Sequence, residues 1–357
     1  MKNRRLLVKG VEAIALGALE GGVECYFGYP ITPQNEIPEI MSVELPKRGG
    51  IFLQAESEVS AINMVLGASA VGARVMTSSS SPGISLMSEG FSYLMGLELP
   101  CVIVNVMRGG PGLGGIEASQ GDYFQAVKAP GHGDGKFLVL APYTCNEAYE
   151  LTAKAFELAD KFRNPVMILS DAILGQMKEP MELKPIKVEK IPKEAWALTG
   201  AKGRESRCIR SLFLDNKELA ERNLKLLKKY KEMEREIRFE KIEDGKEKLI
   251  VVAFGSMARI CKEAVQNLRE RGYEVGFFRP ITLFPFPKKA LLKLADKKRT
   301  FMVCELNCGQ MVEDVSLSLE GKGKIISKIF PPSLLPFPED IEKEIKKCLR
   351  SSNSQKV

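Results

Sequence analysis

Short, nearly continuous apolar runs alternate along the chain with segments whose apolar positions recur every three or four residues. Residues 8–19 read as a helix closed by Gly21-Gly22, and residues 24–27 as a strand entering the turn Gly28-Tyr29-Pro30-Ile31-Thr32-Pro33. Further strands are predicted at 51–54, 74–77, 101–106, 137–140 and 166–169, with helices at 57–70, 84–97 and 144–162. Strands that are apolar on both faces and interleaved with helices predict a parallel sheet covered on both sides. Between about residues 176 and 247 the rhythm stops: Lys and Glu dominate, Pro180, Pro185 and Pro192 punctuate the start, and 217–240 reads as one long charged helix. Alternation then resumes, with strands at 248–254, 274–278, 300–305 and near Ile325. Helices are predicted at 257–271, from the turn 279–287 to Lys297, and from Gln310. The expected division is an α/β parallel-sheet unit at 1–178, a charged connector at 179–247, a smaller α/β unit at 248–346 and a tail at 347–357, polar and disordered from 351.

A chain of 357 residues is long enough for two domains with cores that need no metal or disulfide staple. No apolar run approaches the roughly 20 residues needed to span a bilayer. Glu12 and Glu20 confine the first apolar stretch, so no signal peptide, a cytoplasmic location and no membrane partner are expected. The net charge of +7 comes from interleaved signs, 52 basic against 45 acidic residues, so no nucleic-acid partner is expected. The 217–240 helix reads as a solvated face in preference to a docking face for an acidic electron carrier. The eight cysteines contain no CxxC and read as buried thiols; with His132 the single histidine, no metal site is expected.

Three loops follow strands and share the position where open α/β sheets hold ligands. In the first, two prolines stiffen the backbone around Thr32; the plain alternative is a turn. In the second, Gln54-Ala55-Glu56-Ser57-Glu58, period-two spacing sets Glu56 and Glu58 on one side of an extended entry; the alternative is a pair that only favours the helix dipole. In the third, the strand at 101–106 delivers Arg108 into a glycine-rich loop that matches neither a Walker nor a dinucleotide fingerprint. The hydroxyl run from Thr77 to Ser81 reads as a flexible loop. Together the three loops point to a ligand site with an acid, an arginine for an anionic group and hydroxyl donors.

Phe27-Gly28-Tyr29-Pro30-Ile31-Thr32-Pro33, the segment 54–58, TSSSSPGISLM at 77–87, Asn105 to Pro111 and RPITLFPFP at 279–287 together resemble the alpha, pyrimidine-binding subunit of 2-oxoacid:ferredoxin oxidoreductases. The resemblance covers about residues 5 to 345 and is closest to the 3-methyl-2-oxobutanoate (branched-chain) enzymes. The 2-oxoglutarate or pyruvate versions, or a catalytically silent scaffold, are the alternatives. It implies a thiamine diphosphate pyrimidine-binding domain plus a smaller domain like the transketolase C-terminal one. It also implies coenzyme A-dependent oxidative decarboxylation of a 2-oxoacid to acyl-CoA, carbon dioxide and reduced ferredoxin. By resemblance Glu58 bonds the pyrimidine nitrogen N1′, and Thr32 and Arg108 contact the 2-oxoacid carboxylate. Tyr29, Pro30, Ser81 and Gly83 border the cofactor, and Glu56 is a surface neighbour. In this cofactor class a GDG motif, followed about thirty residues later by Asn, holds the diphosphate through magnesium. Gly133-Asp134-Gly135 with Asn164 mimics that spacing but precedes a strand, so it reads as a decoy. The resemblance therefore implies a beta subunit bringing the diphosphate and magnesium. A gamma subunit, a ferredoxin-like delta subunit with iron–sulfur clusters, and ferredoxin as acceptor complete the expected set.

Overall fold

The computed structural model describes residues 4–296 and 298–353. Its strands are, in chain order, β1 (Arg4–Lys9), β2 (Cys25–Gly28), β3 (Ile51–Gln54), β4 (Val75–Ser79), β5 (Val102–Met107), β6 (Leu138–Leu140) and β7 (Val166–Asp171). They continue with β8 (Lys178–Leu183), β9 (Phe239–Ile242), β10 (Leu249–Val252), β11 (Val275–Pro280), β12 (Thr282–Phe284), β13 (Thr300–Glu305) and β14 (Lys324–Ile329). A seven-stranded sheet has the order β12-β6-β7-β5-β4-β2-β3, and a five-stranded sheet the order β14-β13-β10-β11-β9. Both are parallel except for one edge strand each, β12 against β6 and β9 against β11. The architecture is thus α/β, as the alternation predicts.

Every residue of β4, β5 and β7 is buried, so helices cover both faces of the central strands. Helix Gly10–Glu20 packs tightly on helix Cys145–Phe162 because Gly17 has no side chain: a Cβ there would strike the Tyr149 carbonyl. The latter helix starts cleanly, with the Thr144 hydroxyl accepting from the Glu147 amide at 3.2 Å.

Several elements differ from expectation. The hydroxyl run is no flexible loop: Thr77, Ser78 and Ser79 lie in fully buried β4. The cross-strand chain from Tyr26 Oη to Ser78 Oγ (2.6 Å) and on to Gln34 Oε1 (2.5 Å) makes one of these hydroxyls tolerable inside. The predicted 84–97 helix is two, Ser81–Leu86 and Ser88–Leu97. The charged helix stops at Glu232, followed by a 3₁₀ turn, because Phe239–Ile242 is taken up as β9 on the second sheet. Strands also cross the expected segment boundaries. β8, from 179–247, pairs with β1; β12, from 248–346, pairs with β6; helix Pro338–Asn353 runs through the 346/347 boundary. Of the predicted tail, residues 354–357 lie outside the described residues, as does the predicted helix end at Lys297; helix Lys288–Leu292 ends before it. Six cysteines are buried, but Cys208 and Cys308 are exposed. Among the described residues no helix is long and apolar enough to cross a membrane.

Candidate active site

In the seven-stranded sheet the chain leaves β2 toward β3 on one side, and leaves β4 toward β5 on the other. The crevice between the carboxyl ends of β2 and β4 is therefore a topological switch point, where such sheets bind ligands. All the loops singled out from the sequence reach it or its rim.

From the β3 side, Ser57 is extended (φ −160°) and its hydroxyl accepts from the Ser60 amide at 3.2 Å, which starts helix Glu58–Ala70. Because the chain turns there, Glu56 and Glu58 do not share a side as the period-two spacing predicts: Glu56 is exposed and bonded to Ser60, whereas Glu58 is only 5% exposed. Among the described residues the one side-chain bond to the Glu58 carboxylate is a long one, from Ser79 Oγ at 3.5 Å. Gly83 closes over this carboxylate: a Cβ there would collide with both Ser79 Oγ and Glu58 Oε1. Two further hydroxyls, Thr77 Oγ1 in the middle of β4 and Ser80 Oγ just after it, are buried without a hydrogen-bond partner among the described residues.

Arg108 follows β5 and is 8% exposed. Its Nη1 donates to the Thr32 carbonyl at 2.9 Å and Nη2 to the Leu113 carbonyl at 3.4 Å, while Nε is buried with no partner. Arg108 and Thr32 are thus brought together, through the Thr32 backbone; the Thr32 side chain is exposed, as are Tyr29 and Pro30. No carboxylate neutralises this guanidinium among the described residues. A cavity of about 460 Å³, with Thr32, Ile116, Glu117 and Gln176 in its wall, opens beside it.

Ser81 does more than border the site. Its Oγ accepts from the Arg108 amide at 3.0 Å and donates to Asp122 Oδ2 at 2.6 Å, and Asp122 Oδ2 also accepts from Asn105 Nδ2 at 2.9 Å. Burial raises the pKa of Asp122, and the bonds from Ser81 and Asn105 partly offset this. Asp122 and Asn105 were not anticipated. Asn105 carries a readable signal, a polar residue inside an otherwise apolar strand; Asp122 lies in a loop with no motif.

A second switch point lies in the five-stranded sheet between β10 and β13, since β10 leads to β11 on one side and β13 to β14 on the other. It is filled by the first region's own loop. Gln120, fully buried, donates from Nε2 to the Phe254 carbonyl at 2.8 Å and accepts at Oε1 from the Leu306 amide at 3.2 Å. Tyr123 Oη donates to Asp314 at 2.7 Å, and the Ser256 amide donates to Asp171 at 3.2 Å, so the two regions are tied at several points. RPITLFPFP serves the same junction: buried Arg279 makes two bonds to Glu147, at 2.8 and 2.7 Å, and one to Glu240 at 3.0 Å. The Gly133-Asp134-Gly135 triplet lies in a loop before β6, and the Asn164 amide is bonded to the carbonyls of Lys136 and Pro165, at 2.9 and 3.0 Å.

Residues 16–237 match the family described as pyruvate flavodoxin/ferredoxin oxidoreductase, thiamine diphosphate-binding, and residues 248–331 match pyruvate:ferredoxin oxidoreductase core domain II. Ketoisovalerate oxidoreductase subunit VorB of Methanothermobacter thermautotrophicus is 49% identical over 87% of this chain and 89% of its own length. The 2-oxoglutarate synthase subunit KorA of Archaeoglobus fulgidus is 39% identical over 93% of this chain and 98% of its own. Among solved structures, the 2-oxoglutarate:ferredoxin oxidoreductase from Magnetococcus marinus superposes with a TM-score of 0.84 at 27% identity over 96% of this chain; the present chain spans 65% of that one. A split-gene transketolase shares the fold, with a TM-score of 0.59 at 14% identity over 96% of this chain and 98% of its own.

Proposed function

This chain belongs to the 2-oxoacid:ferredoxin oxidoreductase family, and on that premise we propose that it is the alpha subunit of a branched-chain enzyme, acting on 3-methyl-2-oxobutanoate. The higher identity to a ketoisovalerate subunit than to a 2-oxoglutarate one, 49% against 39%, supports that substrate. In this reading residues 1–178 hold the pyrimidine half of thiamine diphosphate and residues 248–346 are a smaller domain like the transketolase C-terminal one. The diphosphate, its magnesium and the iron–sulfur clusters belong to the beta, gamma and delta partners.

The residues at the switch point fit a heteroaromatic ring that both donates and accepts hydrogen bonds. Glu58 is buried but nearly free of partners, and Gly83 packs against its carboxylate where no Cβ would fit. An unpaired buried polar group costs about 1–3 kcal/mol, so a ligand that supplies the missing partners recovers that cost. When bound, thiamine diphosphate supplies the electron sink for decarboxylation. Glu58 holds the proton shared with the ring nitrogen N1′ and keeps it away from water. Gly83, with Tyr29 and Pro30, shapes the wall. Arg108 and the Thr32 hydroxyl bind the substrate carboxylate, the guanidinium through a charge-assisted bond. Ser81, fixed by Asp122, holds the Arg108 backbone in place.

The under-bonded Glu58 carries this proposal. Glu58→Gln in the complex assembled with its partners is expected to lower 2-oxoacid-dependent viologen reduction by about 10²-fold or more without impairing assembly. Turnover within a few-fold of the unaltered complex would refute the role. A panel of 2-oxoacids on the same complex tests the substrate, with 3-methyl-2-oxobutanoate expected ahead of 2-oxoglutarate and pyruvate.

A further inference from the structure

Away from the switch points, the charged helix Asn216–Glu232 does not lie free in solvent: together with the loop after β12 it walls a cavity of about 910 Å³. That volume is typical of small-molecule sites. Its walls are apolar: Leu224 and Leu227 from the helix, 65% and 49% exposed, stand opposite Leu283, Pro285 and Phe286. Such exposure is costly in a helix that otherwise carries charge on its surface.

The polar groups of the cavity are unbalanced. Lys128 is paired with Asp314 at 2.5 Å. Lys136 is half-buried, donates to the Lys128 carbonyl at 3.0 Å and lies 6.0 Å from the centre of the Phe284 ring; among the described residues it forms no ion pair, with Asp134 and Asp314 acting on it only from a distance. Burial and the neighbouring Lys128 charge lower its pKa, and Asp134 and Asp314 offset this only in part. At the rim Lys231, Lys288 and Lys289 are likewise unpaired, against Asp134 and Glu234. Deeper in, the Tyr230 hydroxyl is buried against the Lys136 backbone, behind the cavity wall.

We infer that this cavity binds an anionic amphiphile: an apolar chain lying against Leu224, Leu227 and Phe286, with a carboxylate or phosphate head on Lys136. The chain supplies the contacts the leucines lack, and the head supplies the close ion pair that Lys136 does not make within the chain. Nothing in this inference depends on the role given to Glu58, so each can fail without the other.

Isothermal titration of decanoate, decyl phosphate and decanol into the full chain and into the assembled complex tests it. At least one of the two anions is expected to bind both preparations about tenfold more tightly than decanol, a gap of about 1.4 kcal/mol; which anion is tighter identifies the head group. Lys136→Gln should close most of that gap, with Lys289→Gln as a milder second variant, while 2-oxoacid turnover stays unchanged. Leu227→Asp should weaken binding of all three. Equal binding of anions and decanol, a gap that survives Lys136→Gln and Lys289→Gln, or no binding at all would overturn the inference. Binding to the free chain but not to the complex would overturn it too, by assigning the cavity to a partner subunit.

Discussion

At the crevice between β10 and β13, Gln120 reaches in and saturates the strand ends, while at the crevice between β2 and β4 hydroxyls, a carboxylate and a guanidinium nitrogen are left without adequate partners. The carboxylates beside the two crevices show the same contrast. Glu305 accepts from the amides of Gln310, Met311 and Val312, at 3.1, 2.6 and 3.0 Å, and from Asn307 Nδ2 at 3.1 Å. Burial raises its pKa and those bonds oppose the rise. Glu58, equally sheltered, has one bond at 3.5 Å. The arginines match: Arg279 is forked onto Glu147 and joined to Glu240, whereas Arg108 touches only carbonyls. Burial of a charged group alone therefore does not mark a site; burial with unmet bonding capacity does.

That contrast predicts opposite phenotypes for like substitutions. The largest effect is expected at the carboxylates. Glu58→Gln removes two orders of magnitude or more of turnover and leaves the denaturant midpoint in place. Glu305→Gln turns an amide toward backbone N–H donors, so it should lower the unfolding free energy by about 1–3 kcal/mol while folded complex keeps its turnover. Comparable losses of both kinds at both positions would erase the distinction. Next come the arginines: Arg279→Ala should cost about 3 kcal/mol of stability, seen by urea unfolding, because Glu147 loses its cation while Glu240 keeps only Lys262. Arg108→Lys should instead raise KM for the 2-oxoacid roughly tenfold, as one guanidinium-specific contact is lost. A smaller effect is expected from Gln120→Ala, which should speed hydrogen exchange at Phe254 and Leu306 before it changes turnover.

The smallest effect concerns a third kind of buried carboxylate, one satisfied by cations. Burial pushes the Glu98 carboxyl up, but Lys229, Lys225 and Arg222 outweigh that and hold its pKa at about 2. A pKa below the ordinary value means that the contribution is complete above about pH 4.5 and is lost as pH falls toward about 2. Hydrogen exchange in helix Asn216–Glu232 should accelerate over that window, and Glu98→Gln should remove the acid dependence.

Much of this was legible in the sequence. Helices and central strands announce themselves through periodicity, and Thr32, Glu58 and Arg108 stand after strands where a parallel sheet must place its loops. What was not legible depends on distant partners. β9 and β12 are short and sit in a charged stretch and a proline-rich one; each becomes a strand because a sheet edge, β11 or β6, is there to pair with it. The run from Thr77 to Ser81 looks like a loop because its hydroxyls are polar, yet Tyr26 and Gln34 across the sheet give Ser78 a buried partner. Glu56 and Glu58 part because Ser57 caps a helix between them, a local event that period-two reasoning overlooks. Gln120 and Asp122 carry no motif; their roles exist only once residues 105, 254 and 306 are brought to them.

The crevice between β2 and β4, with Glu58 at its base, is proposed to receive the aromatic head of the cofactor. The most direct test is a crystal structure of the assembled complex with thiamine diphosphate bound. The Glu58 carboxyl is expected within hydrogen-bond distance of the pyrimidine nitrogen N1′, beneath Gly83. A pyrimidine ring seated elsewhere, with Glu58 still held only by Ser79, would contradict it.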